Sequence, residues 1–133
     1  MEEPVLSFAL LIGRICLSVV FLVSGIHKGL YFQKAVKEFE DAAIPLPQFS
    51  VITIVAFHIL ASGFLILGIF VKATAISLAV FTFFATVRVH NFWAFAEGAE
   101  RLVQSRFALA HIAVIGGLLI LAAVGPGTLI LIL

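Results

Sequence analysis

Apolar residues run almost without interruption through four stretches of the chain, 5–26, 49–71, 73–96 and 107–124, with a single arginine, Arg88, inside the third. Each stretch reaches the roughly 18 to 20 residues that a helix needs to cross a hydrocarbon core of about 30 Å. Between the first two, the pattern changes. Over 32–43, Phe32, Val36 and Phe39 recur at i,i+4 and i,i+3 spacing against Lys34, Lys37, Glu38, Glu40 and Asp41, the signature of a short amphipathic helix lying on a membrane surface. Ile44-Pro45-Leu46-Pro47 stops that helix, and Gly125-Pro126-Gly127 ends the last one, because proline cannot continue the backbone ladder and glycine favours turns. The six residues after it are too few to span. The pattern therefore predicts an all-α, polytopic membrane four-helix bundle, one domain over 1–133. Its spans are at about 5–26, 49–71, 73–92 and 106–124, with the surface helix between helices one and two.

Composition sharpens this. The chain is 63% hydrophobic and only 11% charged, with a mean hydropathy of +1.26, where a soluble domain carries about a quarter of its residues charged. A water-soluble fold is excluded, and the lipid bilayer is the first partner. The net charge of +1 offers no basic field for nucleic acid. Cys16 is the single cysteine and lies inside the first run, so thiol-pair chemistry would need a second chain. The Met-Glu-Glu-Pro start is acidic where a secretory signal is basic, and the first run reads as a retained helix. Lys28, Lys34, Lys37, Arg88, Arg101 and Arg106 fall on one side of the predicted bundle, Lys72 alone on the other. Six against one places both termini outside the cytoplasm, in the inner (cytoplasmic) membrane.

The polar residues within the spans hold the candidate chemistry. Ser7, Arg14, Ser18 and Gly25 lie within roughly 20° of one line on helix one, a polar or small stripe that should face the bundle. His58 and Ser62 on helix two, and Thr82, Thr86 and His90 on helix three, follow i,i+4 spacing; His111 stands one face-repeat after Gln104 on helix four. Arg14, Ser18, His58, Ser62, Thr82, Thr86 and His111 also share a height, a band under ~10 Å thick near the bilayer midplane at ~1.5 Å rise per residue. These seven form the candidate ligand pocket. Lys28, His90 and Asn91 form a second candidate, a polar site at the cytoplasmic end. No carboxylate falls well inside a span, so Arg14 meets only dipoles or the missing anion is a ligand. A cation with imidazoles in an oily pocket suits a quinone head group or a small oxyanion. Haem between His58 and His111 ranks well below a quinone as cofactor, and no metal site is expected.

Arg14, the run Phe-Leu-Val-Ser-Gly-Ile-His-Lys at 21–28, Ile-Pro-Leu-Pro at 44–47, Gly63 and Gly68, His90, and Gly125-Pro126-Gly127, taken in this order, resemble the DoxX family. These are small bacterial four-helix membrane proteins, among them the small subunit of thiosulfate:quinone oxidoreductase. The resemblance covers nearly the whole chain and marks Arg14, Lys28 and His90 as positions that fit the family pattern. Relatives often carry Glu in helix two where this chain has His58, and a polar Ser-Leu-Asp where it has Thr128-Leu129-Ile130. The resemblance implies a membrane subunit associated with a redox system, holding a quinone or another small molecule and working with a protein partner or as a homo-oligomer. From other classes come a non-enzymatic assembly or chaperone-like partner and a small-molecule transporter.

Overall fold

The computed structural model describes residues 2–130. All of its elements are helical: α1 (Glu3–Leu30), α2 (Phe32–Asp41), α3 (Pro47–Leu67), α4 (Val71–Arg88), a 3₁₀ turn (Phe92–Ala94) and α5 (Ala99–Val124). Four helical stretches, Glu3–Leu30, Pro47–Leu67, Val71–Ala94 and Ala99–Val124, are long and apolar enough to cross a membrane. Phe8, Val23, Leu109 and Ile120 stand more than half exposed on their outer faces, a surface that only hydrocarbon accommodates at low cost. The expected four-helix membrane bundle is what forms.

The bounds move for local reasons. Pro47 occupies the first turn of α3, where its missing N–H costs no ladder bond. Gly68 ends the same helix in the left-handed region, φ +85°, as helix C-termini favour. α4 stops at Arg88, short of the expected 92, and the chain crosses to α5 through the 3₁₀ turn; α5 begins at Ala99, ahead of the expected 106.

α1 packs chiefly on its antiparallel neighbour α3 and α4 on α5, while α3 touches α4 and α1 touches α5 to close the ring. Small residues let the backbones approach. A Cβ on Gly25 would stand 3.1 Å from the His58 Cβ, and one on Gly117 3.3 Å from Leu17. The half of the bundle nearest the termini is solid, with Leu65, Leu78 and Leu118 fully buried beside Ala61, Ala75 and Ala79. The expected stripe of helix one is also its buried face: Ser7, Arg14, Ser18, Phe21 and Gly25 are the buried residues of α1.

Two short segments pack on the bundle. The apolar edge of α2 is not spread on lipid. Ala35, Val36 and Phe39 are about 95% buried in a small core of their own with Val51 of α3, apolar surface taken out of water by packing on the neighbouring helix. After Gly125-Pro126-Gly127, residues 128–130 fold back over the terminal end of the bundle, and 131–133 lie outside the described residues. Gly125 at φ +90° and Gly127 at φ +76° make the turn that other residues resist. Ser7 Oγ donates to Glu3 Oε1 at 2.5 Å, so Thr128 Oγ1, 2.8 Å away, must be the donor in their contact.

Candidate functional site

The other half of the bundle, toward α2, is hollow. A cavity of about 410 Å³ lies between the helices, within the ~300–1,000 Å³ usual for small-molecule sites. Its apolar wall is aromatic, with Phe21, Phe39, Phe81, Phe84 and Phe107, and its polar groups come from every long element: Ser24 and Lys28 of α1, Glu38 of α2, His58 of α3, Thr82 and Arg88 of α4, His90 just past α4, and His111 of α5. Beyond it toward α2 lies a more open vestibule that shares Glu38, Arg88, His90 and Phe107 and adds Asp41, Asn91, Glu100 and Gln104.

His58 is held most tightly. It is 2% exposed, stands edge-on to Phe81 (centroids 4.7 Å, 88°) and Phe21 (5.4 Å, 62°), and leans on Phe57. Neither ring nitrogen has a hydrogen-bond partner among the described residues. An orphaned buried polar group costs about 1–3 kcal/mol. Gly25 makes the position accessible, since any larger residue on α1 would meet the His58 Cβ.

His90 and His111 sit together across the cavity, ring centroids 4.9 Å apart at 82°. His90 stacks on Phe107 at 4.9 Å and 27°, and its Nδ1 lies 2.7 Å from Gln104 Oε1. Gln104 Nε2 donates to Glu100 Oε1 at 2.9 Å. His111 Nδ1 lies 2.7 Å from Thr86 Oγ1, which donates to the Thr82 carbonyl at 2.7 Å. Lys28 Nζ donates to Ser24 Oγ at 2.5 Å.

The structure regroups the candidate residues. His58, Thr82 and His111 line the cavity, but so do Lys28 and His90, expected in a separate polar site; Asn91 stands in the vestibule. Thr86 reaches the cavity only through His111. Arg14, Ser18 and Ser62 do not line it. Ser18 Oγ donates to the Arg14 carbonyl (2.6 Å) and Ser62 Oγ to the His58 carbonyl (2.6 Å), so both hydroxyls serve helix backbone at the α1–α3 contact.

Arg14 is fully buried and points the other way. Its Nη2 donates to the Leu129 carbonyl of the folded tail, and a Cβ on Gly68 would collide with Nη1, so the left-handed glycine at the end of α3 makes room for the guanidinium. Nε and Nη1 have no partner among the described residues. The partner the sequence lacked is thus a backbone carbonyl from the far end of the chain.

Sequence reasoning passed over Ser24, Glu38 and Arg88. Ser24 carries a readable signal, being four residues before Lys28 and so on the same helix face. Glu38 and Arg88 do not, because their place depends on how α2 docks: Arg88 Nη2 donates to the Ala43 carbonyl at 3.1 Å, fastening the end of α2 over the cavity. Among the described residues no cluster of three or more His, Cys, Asp or Glu could hold a metal ion.

The DoxX family model matches residues 9–91, a range that takes in α1 from its second turn, all of α2, α3 and α4, and His90. The chain is 28% identical over 127 residues to a protein of Escherichia coli (strain K12) described as inner membrane protein YphA, covering 96% of this chain and 88% of that one. No solved structure matches.

Proposed function

The chain belongs to the DoxX family, and from that premise we propose that it is a multi-pass inner-membrane subunit holding a quinone-type or similarly small aromatic molecule for a redox partner. One observation carries the reading. His58 is buried on the wall of a hollow of about 410 Å³ with both ring nitrogens unpartnered among the described residues, so a ligand that hydrogen-bonds it would offset a cost of about 1–3 kcal/mol per nitrogen. The aromatic wall offers stacking for a flat ring. Lys28 supplies an ammonium to a head-group oxygen. At the rim, Val20, Phe84 and Phe107 are 45%, 59% and 49% exposed, so an apolar tail can pass from the cavity into lipid. Arg14 serves a different end in this reading, pinning the tail across the terminal mouth. The distribution of Lys and Arg supports both termini outside the cytoplasm, which an active C-terminal alkaline phosphatase fusion would bear out and an active cytoplasmic fluorescent fusion would overturn.

The test is mass spectrometry of the organic extract of protein purified in mild detergent. A quinone-type molecule with the native chain, and its loss from His58→Phe, is the expected result. A single stoichiometric protein with no small molecule would replace this reading with that of an assembly partner, and solute flux in liposomes with that of a transporter.

A further inference from the structure

The hydrogen bonds behind the two half-buried imidazoles fix what those rings can offer. Gln104 Nε2 is committed to Glu100 Oε1, which orients the amide so that Oε1 faces His90 Nδ1 at 2.7 Å. An amide oxygen only accepts, so His90 Nδ1 carries the proton. Thr86 has one hydroxyl proton, and with that proton on the Thr82 carbonyl 2.7 Å away the oxygen accepts from His111 Nδ1. In the neutral form of each ring this arrangement holds the proton on Nδ1 and leaves Nε2 a lone-pair acceptor with no partner among the described residues. Both side chains line the cavity. Glu38 adds a carboxylate, again an acceptor, and Lys28 keeps two N–H donors after its bond to Ser24.

A dione head group has acceptor oxygens alone. It can accept from Lys28, Arg88 and the one N–H of a neutral His58, but it sets oxygen lone pairs against the Nε2 lone pairs of His90 and His111. A hydroxyl does both: its proton goes to an imidazole Nε2 and its oxygen accepts from Lys28. We propose that the cavity selects a hydroxyl-bearing aromatic head group, a hydroquinone or phenol, over the corresponding dione. The inference rests on the ligand-binding reading above and names which form of the ligand is held. Thr86 and Gln104 are its positioning residues, acting through the tautomer of the ring each one supports.

The experiment is anaerobic titration calorimetry of the full chain in detergent with three probes of one shape: a short-chain alkyl 1,4-hydroquinone, its dimethyl ether, and the matching 1,4-benzoquinone. The hydroquinone should bind about tenfold or more tighter than either of the others, the worth of one well-made hydrogen bond. In Thr86→Val, which removes the acceptor that fixes the His111 tautomer, the preference should shrink to about threefold or less, and Gln104→Leu should act likewise through His90 if the first variant folds poorly. Equal or tighter binding of the benzoquinone, or a preference untouched in both variants, overturns the selection while leaving the ligand-binding reading standing. Failure of all three probes to bind overturns both.

Discussion

Replacing His58 by phenylalanine separates ligand binding from packing. Phenylalanine also presents a flat aromatic ring, so the edge-on contacts with Phe81 and Phe21, and the tilted one with Phe57, each worth about 0.5–1.5 kcal/mol, are kept in kind and largely cancel in the comparison. What changes is the removal of two polar atoms that have no partner among the described residues. At about 1 kcal/mol each, the low end for an orphaned group, the ligand-free variant gains about 2 kcal/mol. The slightly larger ring meets the cavity rather than a filled core, so the overpacking cost of about 1–3 kcal/mol does not arise. At about 3–5 °C per kcal/mol for a chain of this size, thermal unfolding of delipidated protein, followed by far-UV circular dichroism, should shift up by about 6 °C or more. Adding back a total lipid extract should reverse the order. Wild type gains about 2.7 kcal/mol when its ligand reaches a hundred times Kd, and the variant forfeits it. Were the delipidated variant less stable than wild type by about 1 kcal/mol or more, the His58 nitrogens would have to be satisfied by the protein, and the cavity would lose its claim to a ligand. An unchanged order with lipid extract would refute the reasoning equally.

Arg14→Leu and His58→Phe should act independently. His58 lies level with Gly25, eleven residues and about 16 Å along α1 from Arg14, so a double-mutant cycle on stability and ligand retention should be additive within about 0.5 kcal/mol; coupling above about 1 kcal/mol would place both in one pocket after all. Ending the chain at Gly127 takes away the Leu129 carbonyl and strands a buried guanidinium, a loss of about 1.5–3 kcal/mol that should largely disappear in the Arg14→Leu background; equal destabilisation of both backgrounds would show that the tail acts by packing alone. Spin labels at 36 and 39 should be shielded from lipid- and water-soluble relaxants alike while those at 34 and 37 meet water, since Val36 and Phe39 are buried against α3; lipid exposure at 36 and 39 would return α2 to the membrane surface.

The sequence by itself determined the class and the facing of the helices. Four long apolar runs admit little else, because in hydrocarbon only a helix satisfies its own backbone. The stripe Ser7, Arg14, Ser18, Gly25 turned inward as the 100° step per residue requires. Matching depth was a weaker guide. It put Arg14 and His58 in one band, whereas His58 lies level with Gly25, about 16 Å along α1 from Arg14: the ends of α1 and α3 from which depth was counted are not level, and Arg14 stands beside Gly68 at the end of α3 and the folded tail. What only the tertiary structure decided is what depends on chain-distant partners. A carbonyl at Leu129 has no sequence signal as a partner for Arg14, since every residue carries one. The docking of α2 gathers Glu38 and Arg88 with Lys28, His58, His90 and His111 around one hollow. Periodicity tells which face of a helix is buried, but not whether that face meets a packed neighbour or an empty space. That difference, solid toward the termini and hollow toward α2, is set by how the two helix pairs close on each other.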